Sequence, residues 1–373
     1  MKIIPVRTDR QFEDFVMFPY SLYPKTSAWV PPLISDAKAL LTAGKNPFWE
    51  HAKKEMFLAY SDSGKIIGRI AGIIDFNYIK FQKDNSGFFG FFECIDDTAV
   101  AKELFNAAET WLKSENMPKM IGPMNPSTND ECGFVSEGFD IPPSIMMAYT
   151  PEYYLNLARS YGLKKIKELF AYDMEVCPDS RVPRLQRVVD MAQRKMPNIK
   201  IRTLDVKNFD SELRKVMKVY NQAWENNWGF VPWTDAEFEY IAVQLKPILD
   251  SNLAILAEDN GEPAAFLVSC ADYNQVLKRL DGKLYPFGFL KYLYYKNKID
   301  ALRLIIMGVI EKYRNKGIEA LMYSKGLNYA IKKGYKRCEL SWILEDNVMT
   351  NRTAEMMNGK IYKRYLIFGK DFK

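Results

Sequence analysis

Two stretches of this chain repeat one pattern: MFLAYSDSGKIIGRIAGIIDFN at residues 56–77 and LAILAEDNGEPAAFLVSCADYN at residues 253–274. Each runs through an apolar strand, a turn, a second apolar strand and the ending Asp-aromatic-Asn, the turns being Asp62-Ser63-Gly64 and Asp259-Asn260-Gly261. Two apolar runs joined by such a turn predict a β-hairpin. The same shift of 197 positions relates YGLKKIKELFAYDM (161–174) to NGKIYKRYLIFGKD (358–371), each a glycine followed by a strand of alternating basic and apolar residues. The openings KIIPV (2–6) and KIRTL (200–204) agree within one position of that shift.

Three segments in one order at one offset predict a duplicated fold. The halves are read as residues 1–176 and 198–373, joined by a linking helix within 177–197 that Pro197 stops. Within each half an opening strand is followed by helical segments, the hairpin and a third strand, GFFGFFECI or LRLIIMGVI. A central helix comes next, AVAKELFNAAETWLKSE or IEALMYSKGLNYAIKKG, then another strand, an irregular or helical piece and a closing strand. Helices alternating with strands in this way predict an α/β fold, a mixed sheet flanked by helices, built twice in tandem.

Composition bounds the function. The 373 residues are 48% hydrophobic and carry 52 basic and 46 acidic side chains, a net charge of +6. That excess helps attract an anionic ligand but is not the dense basic stripe of a nucleic-acid binder, and no nucleic-acid partner is expected. Five scattered cysteines without a CxxC argue against a zinc site or a disulfide framework and fit a reducing cytoplasm. No apolar run approaches the length of a membrane span, and the charged opening MKIIPVRTDR has no signal-peptide core. A triad or metal site based on histidine would have to use His51, the only histidine; it is expected to be structural.

The second half places YRNKGIEALM (313–322) between its third strand and its central helix. A helix N-terminus offers unpaired N–H groups and partial positive charge, Gly317 allows close backbone approach, and Arg314 and Lys316 add charge. With the helices aligned on Leu104 and Leu321, the first half reads CIDDTAVAKELF there, and Asp97 falls opposite Arg314. Two carboxylates and no glycine make a poor anion cradle. Met307-Gly308-Val309, Arg314-Asn315-Lys316-Gly317-Ile318 and Glu345-Asp346-Asn347 together resemble the GNAT superfamily of acyl-CoA-dependent N-acyltransferases. Its pyrophosphate loop is written Q/R-x-x-G-x-G/A; here Glu319 stands at the last small position. Several stretches, among them GPMNPSTNDECG and NQAWENNWGFVPWT, also resemble bacterial proteins with two such domains and no assigned substrate.

The resemblance implies an N-acyltransferase that takes an acetyl or longer acyl group from acyl-CoA to an amine acceptor, small molecule or peptide, with no metal. It implies that the backbone around Met307, Gly308 and Val309 polarises the thioester, that Arg314 to Ile318 hold the pyrophosphate, and that Asn347 lies near the CoA arm. Glu345 is the candidate general base. The usual acid, a tyrosine about seven residues after that Asn, is replaced by Ala354, which leaves Tyr362 or Tyr365 as candidate substitutes, or as strand packing residues. Trp228, Phe230 and Trp233 form either an aromatic wall over the acceptor groove or a loop pinned to the core. Asn125, Asn129 and their neighbours Ser127, Asp130 and Glu131 contact a polar acceptor or make a long structured turn. LYPFGFLKYLYYKNK (284–298) reads as a buried helix at the domain interface, or as a contact to a membrane surface or a long acyl chain. Two further readings stay open: a Fem-like transferase using aminoacyl-tRNA, and an inactive binding or scaffold protein that kept the fold.

Overall fold

The computed structural model describes residues 1–178, 183–224 and 227–372. The first half builds β1 (Lys2–Pro5), α1 (Asp9–Leu22), α2 (Ile34–Leu41), β2 (Ala52–Tyr60), β3 (Ile66–Asp75), α3 (Phe76–Gln82) and β4 (Ser86–Cys94). It continues with α4 (Thr98–Ser114), β5 (Lys119–Gly122), β6 (Met124–Asn125), β7 (Glu131–Cys132), β8 (Phe134–Glu137), α5 (Tyr153–Ser160) and β9 (Lys164–Glu175). Helix α6 (Pro183–Lys195) links the halves, and residues 179–182 of the expected linker lie outside the described residues. The second half builds β10 (Ile199–Thr203), α7 (Phe209–Ala223), α8 (Asp235–Leu245), β11 (Ala254–Asp259), β12 (Glu262–Ala271), α9 (Asn274–Leu280) and α10 (Gly288–Tyr295). It closes with β13 (Ala301–Val309), α11 (Ile318–Lys333), β14 (Arg337–Leu344), α12 (Val348–Met356) and β15 (Lys360–Asp371).

Local chemistry explains the elements that the sequence announced. Helix α1 starts at a capping box, the Thr8 hydroxyl accepting from Gln11 N–H while the Gln11 side chain returns to the Thr8 backbone. The hairpin β11–β12 turns at Asn260 and Gly261, both with positive φ (52° and 87°), the Asn-Gly turn whose twist matches the flanking strands. Helix α8 starts at a second capping box, Thr234 with Glu237.

Among the described residues thirteen strands form one sheet, in the order β1-β2-β3-β4-β5-β15-β9-β14-β13-β12-β11-β10, with β8 attached to β15. The two closing strands are exchanged. Strand β15 pairs antiparallel with β5 of the first half (Phe368 opposite Gly122), and β9 pairs antiparallel with β14 of the second (Cys338 opposite Met174). They also pair with each other, Tyr365 opposite Leu169. Ala171, Tyr172, Met174, Tyr365, Ile367 and Phe368 are buried at this seam. Lys363 is wholly buried there, its ammonium donating to the carbonyls of Gly138 and Ile141 at 2.7 and 2.6 Å. Burial pushes that ammonium down to about 8.

In both halves a parallel pair splays. Strands β4 and β5 pair only as far as Phe88 and Ile121, and β13 and β14 only as far as Leu304 and Leu340. Beyond those points each half has a notch in the sheet.

The stretch expected to be a buried helix is a helix, α10, but an exposed one. Tyr285, Phe287 and Leu290 are 76%, 73% and 63% exposed. It packs on α9, and among the described residues it lacks a second layer to bury its other face.

Because each closing strand completes the other half's sheet, the halves are expected to unfold together. Full-length protein should show one coincident transition by far-UV circular dichroism and tryptophan fluorescence. Fragments 1–176 and 198–373 made separately should remain unfolded, each with an unpaired inner edge. Two resolved transitions, or a folded isolated half, would contradict this.

Candidate active site

The two segments singled out as groove-forming meet across the halves. GPMNPSTNDECGF folds into the β6–β7 ribbon, with Asn125 opposite Glu131. Residues 227–233 lie against it. The Thr128 hydroxyl donates to the Gly229 carbonyl at 2.5 Å and the Asn129 amide to the Val231 carbonyl at 3.1 Å. Tyr220 Oη on α7 donates to Asn129 Oδ1 at 3.1 Å, and its ring stacks on Trp233 at a centroid distance of 4.3 Å. These bonds pin the aromatic segment on the ribbon, and its rings form a wall of a cavity.

The wall encloses a cavity of about 1030 Å³, at the upper end of the range for small-molecule sites. Its lining is mostly apolar and comes from both halves: Trp228, Phe230 and Trp233, Leu40 of α2, Ile305 of β13 and Trp342 of β14. All five residues assigned to the groove, Asn125, Asn129, Trp228, Phe230 and Trp233, line it.

Charged groups within this lining are few. Glu131 presents its side chain to the cavity, and no hydrogen bond to its carboxylate exists among the described residues. Desolvation, reinforced by Asp130, pushes its carboxyl up to about 7. Asp130, which accepts from the Ser127 hydroxyl at 2.6 Å, is likewise pushed up to about 7 by burial. Arg303 also reaches the lining, but its guanidinium is taken up by the Ile145 and Met146 carbonyls at 2.7 and 3.0 Å and by Ser341. Two carboxyls poised near neutral pH, one of them unpartnered, are suited to removing a proton from an ammonium group. Sequence reading placed Glu131 among polar neighbours without singling it out. An acidic residue beside another acid is ordinary on a surface; Glu131 is exposed, but to a mainly apolar cavity rather than to bulk solvent, and that is what desolvates it.

The two notches open into this cavity differently. In the first half, strand β6 fills the notch: a Cβ on Gly90 would sit 1.7 Å from the Met124 carbonyl, and the Phe91 N–H donates to Asn125 Oδ1 at 2.6 Å. In the second half, β13 runs past Leu304 without a strand partner on its β14 side, and Ile305, Ile306, Trp342 and Leu344 line the cavity.

The helix N-termini differ as well. Asp97 caps α4, accepting from the N–H groups of Ala99 and Val100 at 2.8 and 3.3 Å. Gly317, with φ 87°, stands at the equivalent cap of α11 without a side-chain bond, so Asp97 matches Gly317 rather than Arg314. The Gly317 side of the loop is covered by α6, since a Cβ there would lie 3.0 Å from Ala192 and 3.3 Å from Val188. Asn315 and Lys316 are exposed, and Ile318 is buried.

Other residues proposed from the sequence have structural partners. Arg314 donates to the carbonyls of Val309 and Ala223, at 3.2 and 2.5 Å, tying the end of β13 to α7. Gly308 lets α7 approach, a Cβ there falling 2.8 Å from Phe266 and 3.1 Å from Ala223. Met307 and Val309 flank it on β13. The Glu319 carboxylate folds back on its own N–H, and burial raises its pKa. Asn347 caps α12, accepting from Thr350 N–H at 3.2 Å. Glu345 lies outside the cavity lining, accepting from Lys165 at 2.9 Å and from the Glu168 N–H at 3.0 Å. Tyr362 donates to the Glu339 carboxylate within the cluster that includes Ser341 and Arg303. Burial and the Glu339 charge hold its phenol protonated far above the usual range.

His51 bridges the halves. Its Nδ1 lies 3.0 Å from Asp75, at the end of β3, and its Nε2 lies 3.2 Å from Glu237, in the first turn of α8. The second contact is an ion pair rather than a well-directed hydrogen bond. Burial opposes the charged ring, but the two carboxylates prevail and raise it to about 10.

The chain carries the mixed sheets, splayed strands and tandem halves of a double GCN5-related N-acetyltransferase fold. It aligns with a solved tandem GNAT protein from the clavulanic acid biosynthesis pathway over 99% of this chain and 98% of that one, with a TM-score of 0.57 and 11% identity. A GCN5-related N-acetyltransferase from Anabaena variabilis aligns over 99% of this chain and 73% of its own, with a TM-score of 0.51 and 9% identity. No family model matches the sequence. The bacterial ceramide synthase of Caulobacter vibrioides is 35% identical over 99% of this chain and 97% of its own length. Protein YghO of Escherichia coli is 34% identical over 95% and 92%. The chain belongs to the family that holds these two proteins.

The His51 bridge sets a pH dependence. A histidine raised from its ordinary value near 6.5 contributes stability fully present below about 6.5 and lost as pH rises through about 10. His51→Gln is therefore expected to lower the urea midpoint most at pH 6 and progressively less toward pH 10.5. A difference independent of pH would show that the ring is neutral in the folded protein.

Proposed function

We propose that this protein is an N-acyltransferase that joins the acyl group of a long-chain acyl-CoA to the primary amine of a long-chain amino alcohol. The observation that carries this reading is the large, mainly apolar cavity holding one unpartnered carboxylate, Glu131. Burying a methylene is worth about 0.8 kcal/mol, so such a lining favours substrates with long chains over acetyl groups and small polar amines. The relative named ceramide synthase supports the same class, since a ceramide is a long-chain amino alcohol acylated on nitrogen.

Glu131 binds the substrate ammonium as its counter-ion and takes its proton. The freed lone pair attacks the thioester carbon. As the carbon–sulfur bond breaks, the second proton of the attacking nitrogen passes to the departing thiolate, giving the neutral amide and free CoA thiol. Backbone N–H groups of β13 beyond Leu304, which no strand engages on the β14 side, are placed to donate to the developing oxyanion. The diphosphate of CoA is assigned to the loop before α11, where Asn315 and the charge of Lys316 are exposed; α6 covers the Gly317 side, and the Glu319 carboxylate engages its own N–H. Asp97 occupies the corresponding position of the first half, which supports a single CoA site per chain.

Purified protein mixed with palmitoyl-CoA and sphinganine is expected to release CoA thiol and form the N-acyl product by mass spectrometry. Acetyl-CoA with small polyamines should react far more slowly. No amide at any chain length, or a preference for acetyl-CoA, would defeat the reading. Glu131→Gln should lower kcat by about 10²–10⁴-fold. Wild-type activity should rise as pH increases through about 7, where the Glu131 carboxyl loses its proton. The folded chain holds that proton to higher pH than the unfolded chain, so Glu131 costs stability above pH 7. The Gln variant should melt higher than wild type at pH 8 and equally at pH 4.

A further inference from the structure

Helix α10 and the loop before it are an addition to the repeated fold. In the first half, α3 and β4 are joined by residues 83–85 alone, whereas the second half inserts residues 281–300 between α9 and β13. The insertion therefore serves something other than closing the sheet. Its composition is narrow: residues 282–299 hold four lysines (Lys283, Lys291, Lys296, Lys298), no acidic residue and a dense set of Phe, Tyr and Leu. None of these lysines forms an ion pair among the described residues. Two of them lie by rings, Lys298 Nζ 3.7 Å from the Tyr294 centroid and Lys296 Nζ 5.7 Å from that of Tyr292, and Lys291 donates to the Arg279 carbonyl at 3.2 Å.

The segment has two faces. Leu284, Phe289 and Tyr292 line the cavity, so α10 is part of its outer wall. Tyr285, Phe287, Leu290 and Tyr294 lie outside that lining and are exposed to solvent. Large apolar side chains rimmed by lysines, without counter-charges, match the chemistry of an anionic bilayer surface: the rings and Leu enter the headgroup layer and the ammonium groups meet lipid phosphates. We propose that residues 283–298 dock this protein on an anionic lipid bilayer, with the wall of the substrate cavity held against the membrane.

This deepens the lipid-substrate reading, and the test separates the two. The full-length protein is sedimented with vesicles of phosphatidylcholine alone and of phosphatidylcholine doped with phosphatidylglycerol. Wild type is expected to bind the doped vesicles, to bind neutral ones at least tenfold less, and to be released by salt. The double variant Phe287→Ser/Leu290→Ser should lose about tenfold or more of that binding. Replacing the four lysines with glutamine should abolish the preference for phosphatidylglycerol. Both variants should keep wild-type turnover on substrates supplied in detergent micelles. Glu131→Gln should bind vesicles as wild type does, and wild type that binds doped vesicles but forms no amide counts against acyl transfer alone. Failure of wild type to bind doped vesicles overturns the docking proposal, as does wild-type binding by the two surface variants. So does a patch that proves by light scattering to hold two copies of the chain together.

Discussion

The antiparallel pairing of β9 with β15 is the constraint from which the rest of this architecture follows. Each strand is twelve residues long, each closes one half of the chain, and each is hydrogen-bonded to a strand of the other half, β9 to β14 and β15 to β5. The exchange turns two sheets into one and leaves neither half with a free inner edge. It also brings the notch of each half to the same cavity, since Phe91 and Asn125 from one side and Ile305 and Trp342 from the other line it together.

From that geometry comes a division of labour between nearly equivalent halves. The first half fills its own notch with β6 and caps its central helix with Asp97, then contributes Asp130 and Glu131 on the ribbon that follows. The second half keeps its notch lined but unfilled and its helix start free of a side-chain cap. Under the proposed function, the first copy would supply the acid–base group and the second the acyl-donor cleft. Desolvation by the apolar cavity opposes the ionised Glu131 carboxylate, which moves its pKa toward neutrality at a cost in stability.

Much of the local structure was legible in the residues. The hairpins, the central helices and the closing strands follow from apolar periodicity and turn chemistry, which act over a few residues. Trp228, Phe230, Trp233, Asn125 and Asn129 were legible as groove candidates because aromatic and polar side chains in irregular segments have few structural uses. The loop from Arg314 was legible as a glycine-bearing helix start. Its arginine, however, is satisfied by the carbonyls of Val309 and Ala223, which lie on elements brought together only by folding. Glu345 likewise meets Lys165 and the Glu168 backbone, far away in sequence. The segment 284–298 reads as buried by composition and is exposed in the fold, because apolar content does not say whether a second layer exists to cover it.

By itself the sequence determined that the chain is a duplicated mixed α/β fold, where its hairpins turn and which helix start carries a glycine. Those properties are short-range: strand alternation, helix periodicity and backbone permissiveness are written within a few residues of each site. Tertiary structure alone decided which strand pairs with which copy, that Glu131 rather than Glu345 faces the cavity, and that α10 stands in solvent. Those properties depend on burial and on partners more than a hundred residues away, and desolvation is felt only once the chain has closed around the group.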